Sequence, residues 1–294
     1  MAAPLVTIVT PVFNQSEYIE ATIKSVLSQT YQNIEYIIID DGSTDGTSDI
    51  LDKYKDVITI IHQNNAGQSA ALNRGWSISK GSILGYISSD DILLHTCVED
   101  TVHAFKNVSV VCTYCDYDLI DYQGDILRRI STEKYSQKRL IVDLVCLPGP
   151  GAFFRRESYC IAGGWRSDLH QIPDFEFWLR LSKTGDFLRI PTVLAQFRVH
   201  AASGSVKKVS VKRANEICLV IHEFYSNSLL DTKKKLSLSN AYTYSARSHF
   251  QSGRFLHGLM QVLSAVKYNF KVIFRLGWYR FLAVSLVRRY FYTK

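Results

Sequence analysis

Three polar clusters in the first third of the chain have the residue types and spacing to do chemistry. Asp90-Asp91 follows the apolar run Ile83–Ile87 and precedes another apolar run. Hard divalent cations such as Mg²⁺ or Mn²⁺ take carboxylate oxygens, and a cation held there can bridge the two phosphates of a diphosphate and stabilise the leaving charge. The plainer alternative is a helix cap, since Asp at the end of a strand often caps the next helix. Asp40-Asp41-Gly42-Ser43-Thr44-Asp45-Gly46 reads as a turn with an Asp45 cap. It also reads as a base-recognition loop, in which one carboxylate accepts from the N3–H of uracil or thymine, a proton that cytosine lacks. Asn64–Gly75 adds a loop and a helix N-terminus suited to an anionic ligand.

Taken in order, Thr-Pro-Val-Phe-Asn, Asp-Asp-Gly-Ser-Thr-Asp-Gly-Thr, Asn-Ala-Gly-x-Ser-x-Ala-x-Asn-x-Gly and Ser-Asp-Asp resemble the family 2 glycosyltransferases, inverting enzymes with the GT-A fold. The resemblance covers about residues 4–200. It continues through Gly149–Arg156, Gly163-Gly164-Trp165, the Pro173–Leu181 run and Phe197-Arg198-Val199-His200. It implies a nucleotide diphosphate sugar donor, with UDP ahead of dTDP, and Mg²⁺ or Mn²⁺ as cofactor. By this resemblance Pro11, Val12, Phe13 and Asn14 pack against the nucleoside, Asp41 reads the base and Asp40 supports it. Gly67 and Asn73 belong to the same donor-binding set, and Asp90 sits at ribose or metal. Asp91 looks like the main metal ligand, and His200 resembles a residue that closes over the diphosphate or metal. Gly149, Gly151, Ala152 and Trp165 look like an acceptor or donor-sugar loop. Asp174 matches the catalytic carboxylate, the general base of a one-step inversion. Structural alternatives stand beside these: Asp174 after Pro173 can be only an N-cap, and a lone His200 can be only structural. Glu176 departs from the commoner Asp, and two residues along a helix from Asp174 it cannot share that residue's face.

These residues need a scaffold that brings them together. Strand-like runs occur at Val6–Thr10, Ile34–Ile39, Val57–Ile61, Ile83–Ile87 and Val108–Cys112. Helical patterns fill the intervals, at Glu17–Gln29, Asp45–Lys55, Gln68–Lys80 and Thr96–Lys106. Strands that are apolar almost throughout, alternating with helices, imply an α/β protein with a mainly parallel sheet covered on both faces. The fold expected with the resemblance is therefore a GT-A, Rossmann-like mixed sheet flanked by helices. Ligands in such sheets bind outside the carboxyl ends of the strands, which is where Pro11–Asn14, Asp40–Ser43 and Ser88–Asp91 fall, after the first, second and fourth strands. From about Val206 the pattern is helical only, through Asn215–Ser226, Leu236–Gln251, Phe255–Phe270 and a last segment Val272–Tyr292. The expected division is a catalytic domain over 1–205 and a helical extension over 206–294.

Charge separates the same two parts. Residues 1–199 carry 18 Lys+Arg against 24 Asp+Glu, and residues 200–294 carry 16 against 3. A basic extension on a mildly acidic body suggests an anionic surface as partner, and Arg spaced among the aromatics of Val272–Tyr292 suits a membrane interface. A helix packed on the body is the alternative. The first residues read as a strand and not as a signal peptide, and the six scattered cysteines read as reduced thiols, Cys112 and Cys115 being ordinary buried ones. Cytoplasmic placement, peripheral at the inner face of the cytoplasmic membrane, is the expectation. The acceptor expected is a surface polysaccharide or a lipid-linked oligosaccharide, with a protein acceptor or a non-catalytic sugar-nucleotide-binding subunit as alternatives. No G-x-G-x-x-G follows the first strand and no G-x-x-x-x-G-K-[ST] occurs, which disfavours dinucleotide and P-loop enzymes. Nucleic-acid binding leaves the front carboxylates unexplained.

Overall fold

Residues 3–200, 209–226 and 231–274 are described by the computed structural model. They group into two units, one of residues 3–135, 146–167 and 173–200, the other of residues 136–145, 168–172, 209–226 and 231–274.

In the first unit the apolar runs become strands of a sheet. The order along the chain is β1 (Val6–Val12), α1 (Ile19–Leu27), β2 (Ile34–Asp40), α2 (Thr47–Leu51) with a 3-10 turn, β3 (Thr59–His62), α3 (Gln68–Ile78) and β4 (Ile83–Tyr86). β1 is buried at every position, as a central strand covered on both faces must be. The four strands lie parallel in the order β3-β2-β1-β4. Val12 pairs with Asp40 and Asp40 with His62, so three carboxyl ends share one edge.

The remainder is mixed. It runs β5 (Ile92–Leu93), α4 (Cys97–Ala104), β6 (Val110–Ile120), β7 (Ile126–Ile130), β8 (Phe153–Arg155), α5 (Arg156–Ala162), α6 (Pro173–Leu181) and β9 (Asp186–Arg198). β8 lies antiparallel between β4 and β6, β9 is parallel to β6 and antiparallel to β5, and β7 hangs antiparallel on β6. The parallel part matches the sequence expectation. β5, β7 and β8 were not anticipated as strands, because two of them are no longer than three residues and β7 exposes most of its length; β9, which alternates only loosely, is the strand expected ahead of His200, though without bounds. Val57 and Val108 fall outside the strands, 68% and 85% exposed, since the tight turns before β3 and β6 hold them in solvent.

The second unit is helical: α7 (Val211–Phe224), α8 (Thr232–Gln251), α9 (Phe255–Tyr268) and a 3-10 turn, Phe270–Phe274. Ser210 and Asp231 cap α7 and α8 by accepting from Arg213 N and Lys234 N, which satisfies donors a helix start leaves orphaned. Gly258 sits where α8 and α9 cross: a Cβ there would lie 2.6 Å from the Phe250 ring. The boundary expected near residue 205 is not the whole division, because 136–145 and 168–172 group with these helices. Asn240 donates to Val142 O (2.7 Å), and the buried Glu216 carboxylate accepts from the N–H groups of His170 and Gln171 (3.0 and 2.7 Å). A carboxylate at 2% exposure needs those donors, so the chain excursions belong to its fold. No helix among the described residues is long and apolar enough to cross a membrane. The expected segment Val272–Tyr292 lies outside the described residues from 275 onward. All six cysteines are free, with Cys112 and Cys115 buried in β6.

Candidate functional site

The loops that leave the carboxyl ends of β1, β2 and β3 are tied to each other by side chains. Pro11 and Val12 are buried in β1, and Phe13 emerges 45% exposed. Asn14 takes a left-handed conformation (φ 51°), donating its N–H to Ser43 Oγ (3.0 Å) and accepting from Thr44 N (2.7 Å). Asp40, 1% exposed, accepts from Ser43 N, Ser48 Oγ and His62 Nδ1. Burial opposes its charge, yet the bonds from Ser43, Ser48 and His62 outweigh it and hold the carboxyl below its usual range. Asp41 is 3% exposed and accepts from Gln63 Nε2 (2.7 Å), Ala66 N (2.9 Å) and Gly67 N (2.8 Å). A carboxylate accepts about four hydrogen bonds, so Asp41 keeps capacity for about one more donor. Asp45 accepts from Ser16 N and Thr47 N, a local turn bond that also joins the β1 and β2 loops.

Gly42 makes this closure possible. Its φ is +83°, and a Cβ would stand 3.1 Å from Asn65 N and 3.2 Å from Gln63 O. The left-handed conformation costs an ordinary residue about 1–2 kcal/mol and backbone crowding adds to that. Gly42→Ala is therefore expected to lower unfolding stability by roughly 2 kcal/mol or more in urea titration. A loss below roughly 0.5 kcal/mol would mean that the 63–67 loop does not press on this turn.

Asp90 and Asp91 are adjacent and face different ways. Asp90 Oδ2 lies 3.0 Å from His200 Nε2, the two side chains being 19% and 8% exposed. Asp91 is turned into the protein, 2% exposed, and its Oδ1 accepts from Arg198 N (2.9 Å). Burial, then the charge of Asp90, push the Asp91 carboxyl well above its ordinary range. Arg198 is a residue the sequence reading quoted without assigning a role. It donates to Asp90 O (2.9 Å), Asp121 O (3.0 Å) and Tyr122 O (3.2 Å), and its guanidinium lies over the Tyr18 ring, which also meets His200 at 5.0 Å. It holds together the loop after β4, the β6–β7 turn and the end of β9.

Two ligands of an octahedral ion, with bonds of about 2.1 Å, lie about 3.0 Å apart at adjacent corners. Asp90 and His200 have that separation because they share a hydrogen bond, which they would exchange for an ion, and an oxygen–nitrogen donor set suits Mn²⁺ better than Mg²⁺. Among the described residues no group of three or more His, Cys, Asp or Glu is arranged to hold a metal ion. The pair therefore fits a cation whose other ligands come from a diphosphate and water, as is usual for ions that bind with phosphates.

Asp174 starts α6 and is partly buried. Burial raises its pKa, and hydrogen bonds from the first N–H groups of α6 and from the Cys146 thiol, 3.9 Å away, offset that only in part. Tyr86, at the end of β4, has its hydroxyl pKa pushed well up, by burial first and then by the nearby acids, Asp174 foremost. Tyr86 and Cys146 were not singled out from sequence; the end of β4 was the signal available for the first, and the second had none.

Asn73 and Trp165 meet by backbone mimicry. The Asn73 amide donates to Trp165 O (2.7 Å) and accepts from Trp165 N (2.8 Å), so both of its polar ends serve to position Trp165. Asn73 was expected in the donor-binding set; its amide is spent on holding a neighbour in place. Trp165 packs edge-on to Tyr86 (5.1 Å), and its buried indole N–H has no partner among the described residues. Arg180 grips the same loop through Ala162 O and Gly164 O while forking onto Glu176 (2.7 Å to each oxygen). Glu176 thus anchors Arg180, on a different face from Asp174. Gly149, Gly151 and Ala152 line the approach to β8, Gly149 against Tyr117 and Gly151 (φ +75°) against Cys115 and Cys97, with Ala152 fully buried.

Residues 7–161 match the family model described as Glycosyl transferase family 2. An uncharacterized glycosyltransferase of Rickettsia prowazekii is 28% identical over 262 residues, 79% of this chain and 81% of that one. Chondroitin synthase of Escherichia coli is 29% identical over 242 residues, 81% of this chain but 35% of the synthase, so this chain spans about a third of that enzyme. Among solved structures, S. aureus TarS 1–349 in complex with UDP-GlcNAc superimposes with a TM-score of 0.70 at 16% identity, over 89% of this chain and 79% of that one. The mannosyltransferase PcManGT from Pyrobaculum calidifontis, in complex with GDP-Man and Mn²⁺, gives 0.63 at 16% identity, over 91% and 76%. At such identities these structures establish the fold.

Proposed function

This chain belongs to glycosyl transferase family 2 and is a glycosyltransferase with the GT-A fold, and from that premise we propose that it transfers a sugar from UDP to a hydroxyl of a growing polysaccharide or lipid-linked oligosaccharide, with inversion. The observation that carries the reading is the Asp90–His200 pair, 3.0 Å apart at the edge of the sheet where the buried Asp40 and Asp41 close the nucleoside loops.

Each group has a task that its environment favours. Phe13 and Asn14 give the base and ribose a wall, and the open acceptor capacity of Asp41 takes the uracil N3–H. Asp90 and His200 would hold Mn²⁺ or Mg²⁺, with Asp91 and Arg198 fixing the loop from behind. In this reading Asp90 faces the cation and Asp91 supports it, where the resemblance implies Asp91 as the main ligand with Asp90 beside it at ribose or metal. An ion held there would supply charge neutralisation for the leaving diphosphate. Trp165, held in place by Asn73, packs on Tyr86 and shapes the loop beside the site. Asp174 takes the proton of the acceptor hydroxyl as that oxygen bonds to the anomeric carbon, and the bond to the β-phosphate oxygen breaks with its electron pair leaving on UDP. No covalent enzyme intermediate is needed. Chondroitin synthase among the relatives supports a polysaccharide acceptor, and the open acceptor capacity of Asp41 supports a uridine donor. The work is placed at the inner face of the cytoplasmic membrane, with the basic helical extension at the lipid.

A thermal-shift screen of UDP, dTDP, CDP and GDP, each with and without Mn²⁺, tests this assignment through stabilisation of the folded state by ligand. UDP is expected to raise the melting temperature most and to need the metal. Stabilisation by CDP or GDP alone overturns it.

A further inference from the structure

We propose that the exposed face of α9 seats the protein on an anionic lipid surface, lying in the plane of the headgroups. Leu256, Leu259, Met260 and Leu263 are 71%, 54%, 58% and 70% exposed, and Phe270 and Phe274 continue the run at 61% and 69%. Spacings of three, four and seven residues put the four α9 side chains on one stripe, while Gly258 and Ala265 on the other side are buried against α8. A single exposed leucine needs no explanation, but a contiguous stripe of large apolar side chains marks a surface that meets something apolar.

Charge identifies what it meets. From Thr232 to Lys294 the sequence carries 12 Lys and Arg and no Asp or Glu, with Lys267 and Lys271 exposed at the end of the stripe. A second copy of the chain would bring this uncompensated positive charge against itself. A bilayer containing acidic lipid answers both features, since it takes the apolar stripe into its interface and the basic groups onto its phosphates. The helix has 14 residues, about 21 Å at 1.5 Å each, too short to span a hydrocarbon core of about 30 Å. This surface deepens the membrane placement in the proposed function and does not depend on the chemistry at Asp174.

The test is co-sedimentation of the full chain with vesicles of phosphatidylcholine alone or mixed with phosphatidylglycerol. The intact protein is expected to bind the mixed vesicles ~10-fold or more tightly than the neutral ones, less so as salt rises, and Leu259→Gln with Leu263→Gln to weaken that binding by ~10-fold or more. Both positions are exposed, so the double variant should keep its melting temperature and its stabilisation by UDP. Equal vesicle binding by variant and intact protein overturns the proposal. So does absence of binding by the intact protein, or a dimer in analytical ultracentrifugation that the variant dissolves. If UDP fails to stabilise the intact protein while vesicle binding behaves as expected, the functional reading falls and the lipid surface stands.

Discussion

Asp174→Asn is expected to lower sugar transfer by at least ~100-fold while leaving UDP binding in place, the scale on which removing a general base acts. The side-chain oxygen of Asn can still accept from the N–H groups that start α6, so the helix should form and the melting temperature should hold. In the proposed mechanism the substitution removes the carboxylate that takes the acceptor proton. The pH profile gives an independent readout. Burial raises the Asp174 pKa, and a general base works only when ionised, so kcat/KM should fall as pH is lowered through a value above the ordinary carboxylate figure of about 3.9. At higher pH the group stays charged and this dependence vanishes. Asn does not titrate, so the residual activity of the variant should lack the limb. Equal loss of binding and turnover, or an acid limb unchanged in Asp174→Asn, moves the base elsewhere.

The second large effect separates two neighbours. Asp90→Asn is expected to abolish metal-dependent transfer and to weaken Mn²⁺ binding in the presence of UDP, because it removes the charged oxygen of the pair that faces His200. Asp91→Asn should retain both in large part, since a carbonyl oxygen can accept from Arg198 N as the carboxylate does, and the group is buried where a charge is disfavoured. Asp91→Ala is a different case: it orphans a buried N–H, for which the usual penalty is about 1–3 kcal/mol, and it should lower stability as well as activity. Titration of Mn²⁺ with UDP present, alongside melting curves, distinguishes the three. If Asp91→Asn loses the metal while Asp90→Asn keeps it, the assignment is reversed.

Local order in the sequence determined a good deal about this protein. The first four strands and three of the intervening helices, the glycine-bearing turn at Gly42 and the carboxyl-end placement of Asp40, Asp41 and Asp90 all follow from apolar runs bounded by turn residues, signals that lie within a few positions of one another. The helices of the basic extension were legible for the same reason, through the 3.6-residue period of α7, α8 and α9. Contacts between distant positions were decided only by the tertiary structure. His200 reaches Asp90 across 110 residues, Asn73 meets Trp165 across 92, and Arg198 joins segments 76 to 108 residues away, none of which leaves a periodic trace. The different surroundings of Asp90 and Asp91 have the simplest physical reason. Two adjacent carboxylates in non-helical chain present opposite sides, and the parity that turns one inward to Arg198 and the other outward to His200 is set by how β9 pairs beside them, with Leu93 on Ala195 and Ile92 on Gln196.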